Sequence, residues 1–124
     1  MKIILTNGTE LTPILVTGGP KYAQGANRDT LDFVFPDCSL DEKVEQFTEA
    51  NCENITIVGD DGSEAIHTGY VIPEIVKKPV EIEKATVDTD AVYENRVFVS
   101  MSQRIYAETK QRETEMLLNA LLGE

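Results

Sequence analysis

Residues 30–50, TLDFVFPDCSLDEKVEQFTEA, change periodicity partway through, and that change sets the fold class. From Thr30 to Phe35 the apolar residues alternate, with Leu31, Phe33 and Phe35 on one side and Asp32 and Val34 on the other, as in a half-buried strand. Pro36 stops the run. Ser39-Leu-Asp-Glu42 then has the form of a capping box, in which the Ser hydroxyl and the Glu carboxylate each satisfy an orphan backbone donor. Leu40, Val44 and Phe47 recur at helical spacing, so Ser39 to Ala50 is expected to be an amphipathic helix, with Asp41 and Glu42 suiting its N-terminal dipole.

Hairpins flank this strand–helix unit on both sides. Upstream, Lys2 to Thr6 is β-prone, Asn7-Gly8 is a two-residue hairpin signal, and Leu11 to Thr17 reads as the return strand. Pro13 within it argues for an edge or a bulge. Downstream, Ile55 to Val58 leads into an Asp60-Asp61-Gly62-Ser63 turn, and Ala65 to Val76 returns, interrupted at Pro73. Lys77 to Glu94 reads as a loose edge strand or connector. Arg96 to Met101 is a further strand, with Val97, Val99 and Met101 on one face. From Ser102 the sequence has high helix propensity, Glu108 and Arg112 form an i,i+4 pair, and Gly123 is a candidate cap. The expected fold is therefore α+β. It is a mainly antiparallel, curled or partly closed sheet with one inserted helix (1–101), followed by a long C-terminal helix (102–124).

Composition bounds the function. The 124 residues make one domain, 41% apolar and 27% charged, which excludes wholesale disorder. No apolar run approaches the roughly 18–20 residues of a membrane span, and the N-terminus turns polar at Thr6, too early for a signal-peptide core. A cytoplasmic origin is the expectation. The net charge of −11 is uneven: nine carboxylates lie between Asp37 and Glu64 against the single Lys43. Such a field repels phosphate backbones, so neither nucleic acid nor membrane is an expected partner.

Four stretches hold residues that could carry chemistry. The stretch TGGPKYAQGANRD, 17–29, has three glycines, a Lys and an Arg, but it lacks the Gly-x4-Gly-Lys-Ser/Thr spacing of a phosphate loop and leads into a strand. It reads as a long hairpin excursion displaying Lys21, Tyr22 and Arg28 as candidate contact residues. Asp60 to Glu64 fails as a calcium loop, because the ligand positions before its glycine are Ile57, Gly59 and Asp61. His67 is placed on the polar face of its strand, opposite Ile66, without a partner for general-base work. Cys38 and Cys52 bracket a helix about 18 Å long, whereas a disulfide needs Cα atoms within about 7 Å, so two free thiols are expected. No catalytic residue, cofactor or metal site is assigned.

The C-terminal helix remains. Its middle turns are polar, with Thr109, Arg112 and Glu113 between Ile105 and Met116. Its end is apolar: Met116, Leu117, Leu118, Leu121 and Leu122. A helix returning to its own core carries an apolar stripe along its length, so this tip is the candidate contact with another chain.

The succession MKIILTNGTEL, TLDFVFPDCSLDEKVEQFTEANCENITIVGDDG, IHTGYVIPEIVKK and VFVSMSQRIYAETKQRETEMLLNALL resembles small proteins encoded in the tail and baseplate region of siphophages and prophages of Gram-positive bacteria. The resemblance covers most of the chain in order and length, and is weakest at GGPKYAQGANRD and 77–94. It implies a structural, non-catalytic component that assembles with itself or with other phage tail proteins, in the bacterial cytoplasm and then in the virion. The glycine-rich excursion would then be a subunit-contact loop. The alternative expectation is a small acidic host module that docks a basic protein partner.

Overall fold

The computed structural model describes residues 1–122, so the cap expected at Gly123 lies outside the described residues. The chain runs β1 (Lys2–Ile4), β2 (Glu10–Leu11), β3 (Leu15–Ala23), β4 (Ala26–Phe35) and α1 (Leu40–Gln46). After a 3₁₀ turn (Ala50–Cys52) it continues through β5 (Asn54–Val58), β6 (Glu64–Thr68), β7 (Tyr70–Glu83), β8 (Val92–Gln103) and α2 (Tyr106–Leu122). The α+β class, the antiparallel pairing and the C-terminal helix are as expected. The sheet, however, is not one curled surface. Two four-stranded antiparallel sheets form, in the orders β2-β1-β5-β6 and β3-β4-β8-β7, and neither closes.

The chain changes sheets three times: once through α1 and the 3₁₀ turn, between β4 and β5, and twice inside a segment that reads as one strand. The return strand after Asn7-Gly8 stops at Leu11, and Pro13, which cannot donate to a ladder, sits at the crossing before β3 begins. The return strand after Gly62 stops at Thr68, and Gly69 turns the chain at φ +82°, a conformation that costs glycine little. Both backbone groups of Gly69 are used there: its N–H donates to the Glu53 carbonyl (2.9 Å) and its carbonyl accepts from the Arg104 N–H (2.9 Å).

The glycine-rich stretch is a strand pair. β3 and β4 pair from Leu15–Val34 to Ala23–Ala26, and Gln24 (φ 46°) with Gly25 (φ 81°) makes the two-residue turn. The 77–94 segment is likewise mostly ladder, with β7 paired to β8 as far as Glu83–Val92. This ribbon runs past the last β4–β8 pair, Phe35–Val97, and projects from the sheet. Pro20, Pro73 and Pro79 are accommodated because β3 and β7 are the edge strands of their sheet.

The core draws Ile3, Leu5 and Ile55 from the first sheet's segments and Leu31, Phe33, Phe35, Val97, Val99 and Met101 from the second. Phe47 closes it, with ring centroids 6.0 Å from Phe33 and 5.9 Å from Phe35. Helix α1 begins as expected, the Ser39 hydroxyl accepting from the Glu42 N–H (3.2 Å), but it ends at Gln46 rather than Ala50. The Asn51 side chain caps it by donating to the Gln46 carbonyl (2.7 Å). Its buried face also differs from the expected one. Val44 is exposed, whereas Lys43 is buried, its ammonium 4.7 Å from the Phe35 ring centroid and hydrogen-bonded to Gln46 Oε1 (3.0 Å).

Candidate functional site

A buried arginine ties the first turn of the C-terminal helix to the second sheet. Arg28 lies on β4, and its side chain is fully buried. Its guanidinium uses all five donors: Nε to the Ala23 carbonyl (2.7 Å), Nη1 to the Gln103 carbonyl (3.2 Å), Nη2 to the Gln24 carbonyl (3.1 Å), and both terminal nitrogens to the Glu108 carboxylate. One side chain thus ties the Gln24-Gly25 turn, the end of β8 and the first turn of α2 together. The fork-to-fork geometry is the strong form of this pairing.

Glu108 has a second task. Its Oε1 accepts from the Ile105 N–H (3.0 Å), half of a capping box at the start of α2. The Arg28 hydrogen bond, and next the Ile105 N–H, hold its carboxyl down at about 2; the same contact raises Arg28. The expected Glu108–Arg112 helix pair is therefore not made. Arg112 instead reaches Glu49 and, at 3.8 Å, Glu53, where Arg104 also binds at 3.0 and 3.3 Å.

Cations cover part of the acidic segment. Of its nine carboxylates, Glu49 and Glu53 are neutralised by the two arginines, Asp37 by Lys77 (2.8 Å) and Asp60 by the N-terminal ammonium. Asp41, Glu42 and Glu45 stay exposed on α1.

Beyond its first turns α2 leaves the body. From Lys110 to Leu122 every residue is exposed, and Met116, Leu117, Leu118, Leu121 and Leu122 are 50–82% exposed. Of the other candidate contact residues, Tyr22 is 70% exposed and Lys21 pairs with Glu74 (3.0 Å). Arg28 is not displayed, and with every N–H committed it has none left for a phosphate or a partner. The sequence signal for its role is weak: one Arg following a tight turn.

The remaining candidates for chemistry are occupied structurally. Both cysteines are free, and burial pushes the Cys52 thiol up to about 12, the opposite of an activated nucleophile. His67 pairs with buried Ile55 and sits edge-on to Tyr70 (5.7 Å), while Ile66 faces solvent at 67% exposure. This inverts the expected faces, because the register with Ile55 fixes the alternation of β6. Asp61 accepts from the Ser63 Oγ (2.6 Å) and N–H (3.0 Å), which lower its carboxyl and stabilise the turn. Among the described residues no group of three or more His, Cys, Asp or Glu side chains could hold a metal ion, and no helix is long and apolar enough to cross a membrane. Comparison with family models, curated proteins and solved structures finds no match to this chain.

Proposed function

We propose that this protein is a non-catalytic structural component that assembles through the end of α2, and that it serves in the tail or baseplate of a phage or prophage. One observation carries the assembly reading: five large apolar side chains are uncovered at the tip of a helix whose described ion pairs to the body are made by Glu108 and Arg112, in its first two turns. Each such side chain contributes about 1.5–3 kcal/mol when fully buried, so together they can offset much of the cost of association. A soluble domain rarely leaves such a cluster open unless a partner covers it. The phage assignment rests on the sequence resemblance alone.

Deleting residues 116–124 tests the reading. The truncated chain should keep its circular dichroism per residue and lose self-association in sedimentation. Unfolding on truncation, with a strictly monomeric full-length protein, would return the tip to the core. Mass spectrometry of induced phage particles tests the virion assignment, and absence of the chain from purified particles would refute it.

A second reading is favoured by the exposed Asp41, Glu42 and Glu45 on α1, which could dock a basic protein. It predicts that changing all three to Lys abolishes the interaction. Assembly through α2 predicts no effect of that change on self-association.

A further inference from the structure

An assembly helix needs a receiving surface, and the second sheet has one on the face turned away from the core. The register pairs Leu15 with Val34, Val34 with Phe98, and Phe98 with Val76. Paired residues share a face, so these four apolar side chains form one row across β3, β4, β8 and β7. Their neighbours Val16, Phe33, Val99 and Ile75 form the adjacent row on the core side. Leu15 is 53% and Val76 43% exposed, and Val34 and Phe98 are half-buried.

The flanks of this row differ in charge. Toward the projecting ribbon, the next outward pair is Lys78 with Arg96. The Lys78 ammonium lies 4.5 Å from the Phe98 ring centroid, and Arg96 has a buried Nε without a hydrogen-bond partner and a 3.3 Å contact to Glu94. On the other flank Asp32 is hydrogen-bonded to Ser100, and Glu74 is paired with Lys21. In a chain of net charge −11, two adjacent cations beside an apolar row form a local site for carboxylates.

We infer that this row receives the α2 tip of a second copy of the chain, with Glu113 and Glu115, just before Met116, set against Lys78 and Arg96. The inference rests on the assembly reading above and names where the tip goes. The tip fits within the row: three strand spacings make the row about 14 Å long, and Met116 to Leu122 rise about 9 Å. At 100° per residue, the apolar side chains from Met116 to Leu122 surround most of the helix. A single tip-to-tip contact would leave much of that surface wet. Tip and row are different surfaces of one molecule, so the contact is heterologous, and copies add head to tail into a ring or an open chain.

Two assembly-deficient variants test this by complementation. Leu121→Glu spoils the tip; Val76→Glu spoils the row, and Leu15→Glu spoils it again from the opposite edge strand. Each alone should associate at least tenfold more weakly than the native chain in sedimentation, with unchanged circular dichroism. Mixed, a tip variant and a row variant should form a 1:1 dimer and nothing larger, because one intact tip meets one intact row.

If both row variants assemble like the native chain while Leu121→Glu does not, the tip docks elsewhere. The row assignment is then overturned and the assembly reading stands. If Leu121→Glu assembles normally, the assembly reading itself fails. If tip and row variants are both monomeric and folded but form no dimer when mixed, the heterologous contact is refuted. Should Val76→Glu lose its fold, Leu15→Glu decides the same question.

Discussion

Arg28 and Glu108, 80 residues apart in sequence, form a two-pronged ion pair that fixes the base of α2 to the turn between β3 and β4. The guanidinium is fully buried and the carboxylate 38% exposed, so removing the carboxylate strands a charge with no anion beside it. Glu108→Ala should destabilise the protein by about 3 kcal/mol, the lower end for breaking a buried pair. Arg28→Lys should cost a similar amount, because an ammonium cannot reproduce the fork. Urea denaturation followed by circular dichroism measures both, and a loss below about 0.5 kcal/mol would reduce the pair to a surface contact.

The same pair sets an acid limit. Glu108 is held at about 2 in the folded protein against an ordinary 4.5. Its contribution is therefore present above pH 4.5 and is lost as pH falls through 2, since the unfolded chain takes up the proton first. Allowing for solvent screening of a partly exposed group, this amounts to on the order of 1–2 kcal/mol. Glu108→Gln, which cannot titrate, should flatten the fall of stability between pH 4.5 and 2. An unchanged slope would show that other carboxylates govern the acid transition.

The thiols should separate by reactivity. With Cys52 buried and raised to about 12, a disulfide-exchange reagent at pH 8 should label Cys38 first in the native protein, and both on denaturation without reductant. A count of zero in the denatured monomer would mean an internal bridge.

Helix α1 offers a direct contrast between sequence pattern and packing. Phe47 is 1% exposed between Phe33 and Phe35, whereas Val44 is 52% exposed. Phe47→Ala should cost about 3–5 kcal/mol, and Val44→Ala less than about 0.5 kcal/mol. Comparable losses at the two positions would restore the Val44-facing helix.

That contrast marks how far the sequence could be read. Strand cores announced themselves by alternation: Leu31, Phe33 and Phe35 in β4, and Val97, Val99 and Met101 in β8, are all buried. The α1 start was legible from Ser39. Periodicity does not say which sheet a strand joins, so the switches at Pro13 and Gly69 went unread, and one curled sheet was expected where two form. Glycine and proline in Gly18-Gly19-Pro20 read as loop because their place on an edge strand is a tertiary fact. Of the candidate site, the apolar tip was visible in Met116 to Leu122. The burial of Arg28 is not legible in sequence, since three of its five acceptors, the Gln103 carbonyl and the two Glu108 oxygens, lie on segments far from it along the chain. The Leu15–Val34–Phe98–Val76 row exists only once four strands are in register.

The central claim, that the α2 tip is covered between chains, is tested most directly by amide hydrogen exchange measured against protein concentration. At high dilution the amides of residues 116–122 should exchange at rates set by an exposed helix, and at assembling concentrations they should become protected, together with those of β3 and β7. Protection of 116–122 that is independent of concentration in a monomer would place the tip in its own core. Rapid exchange in the assembled state would show that association uses another surface.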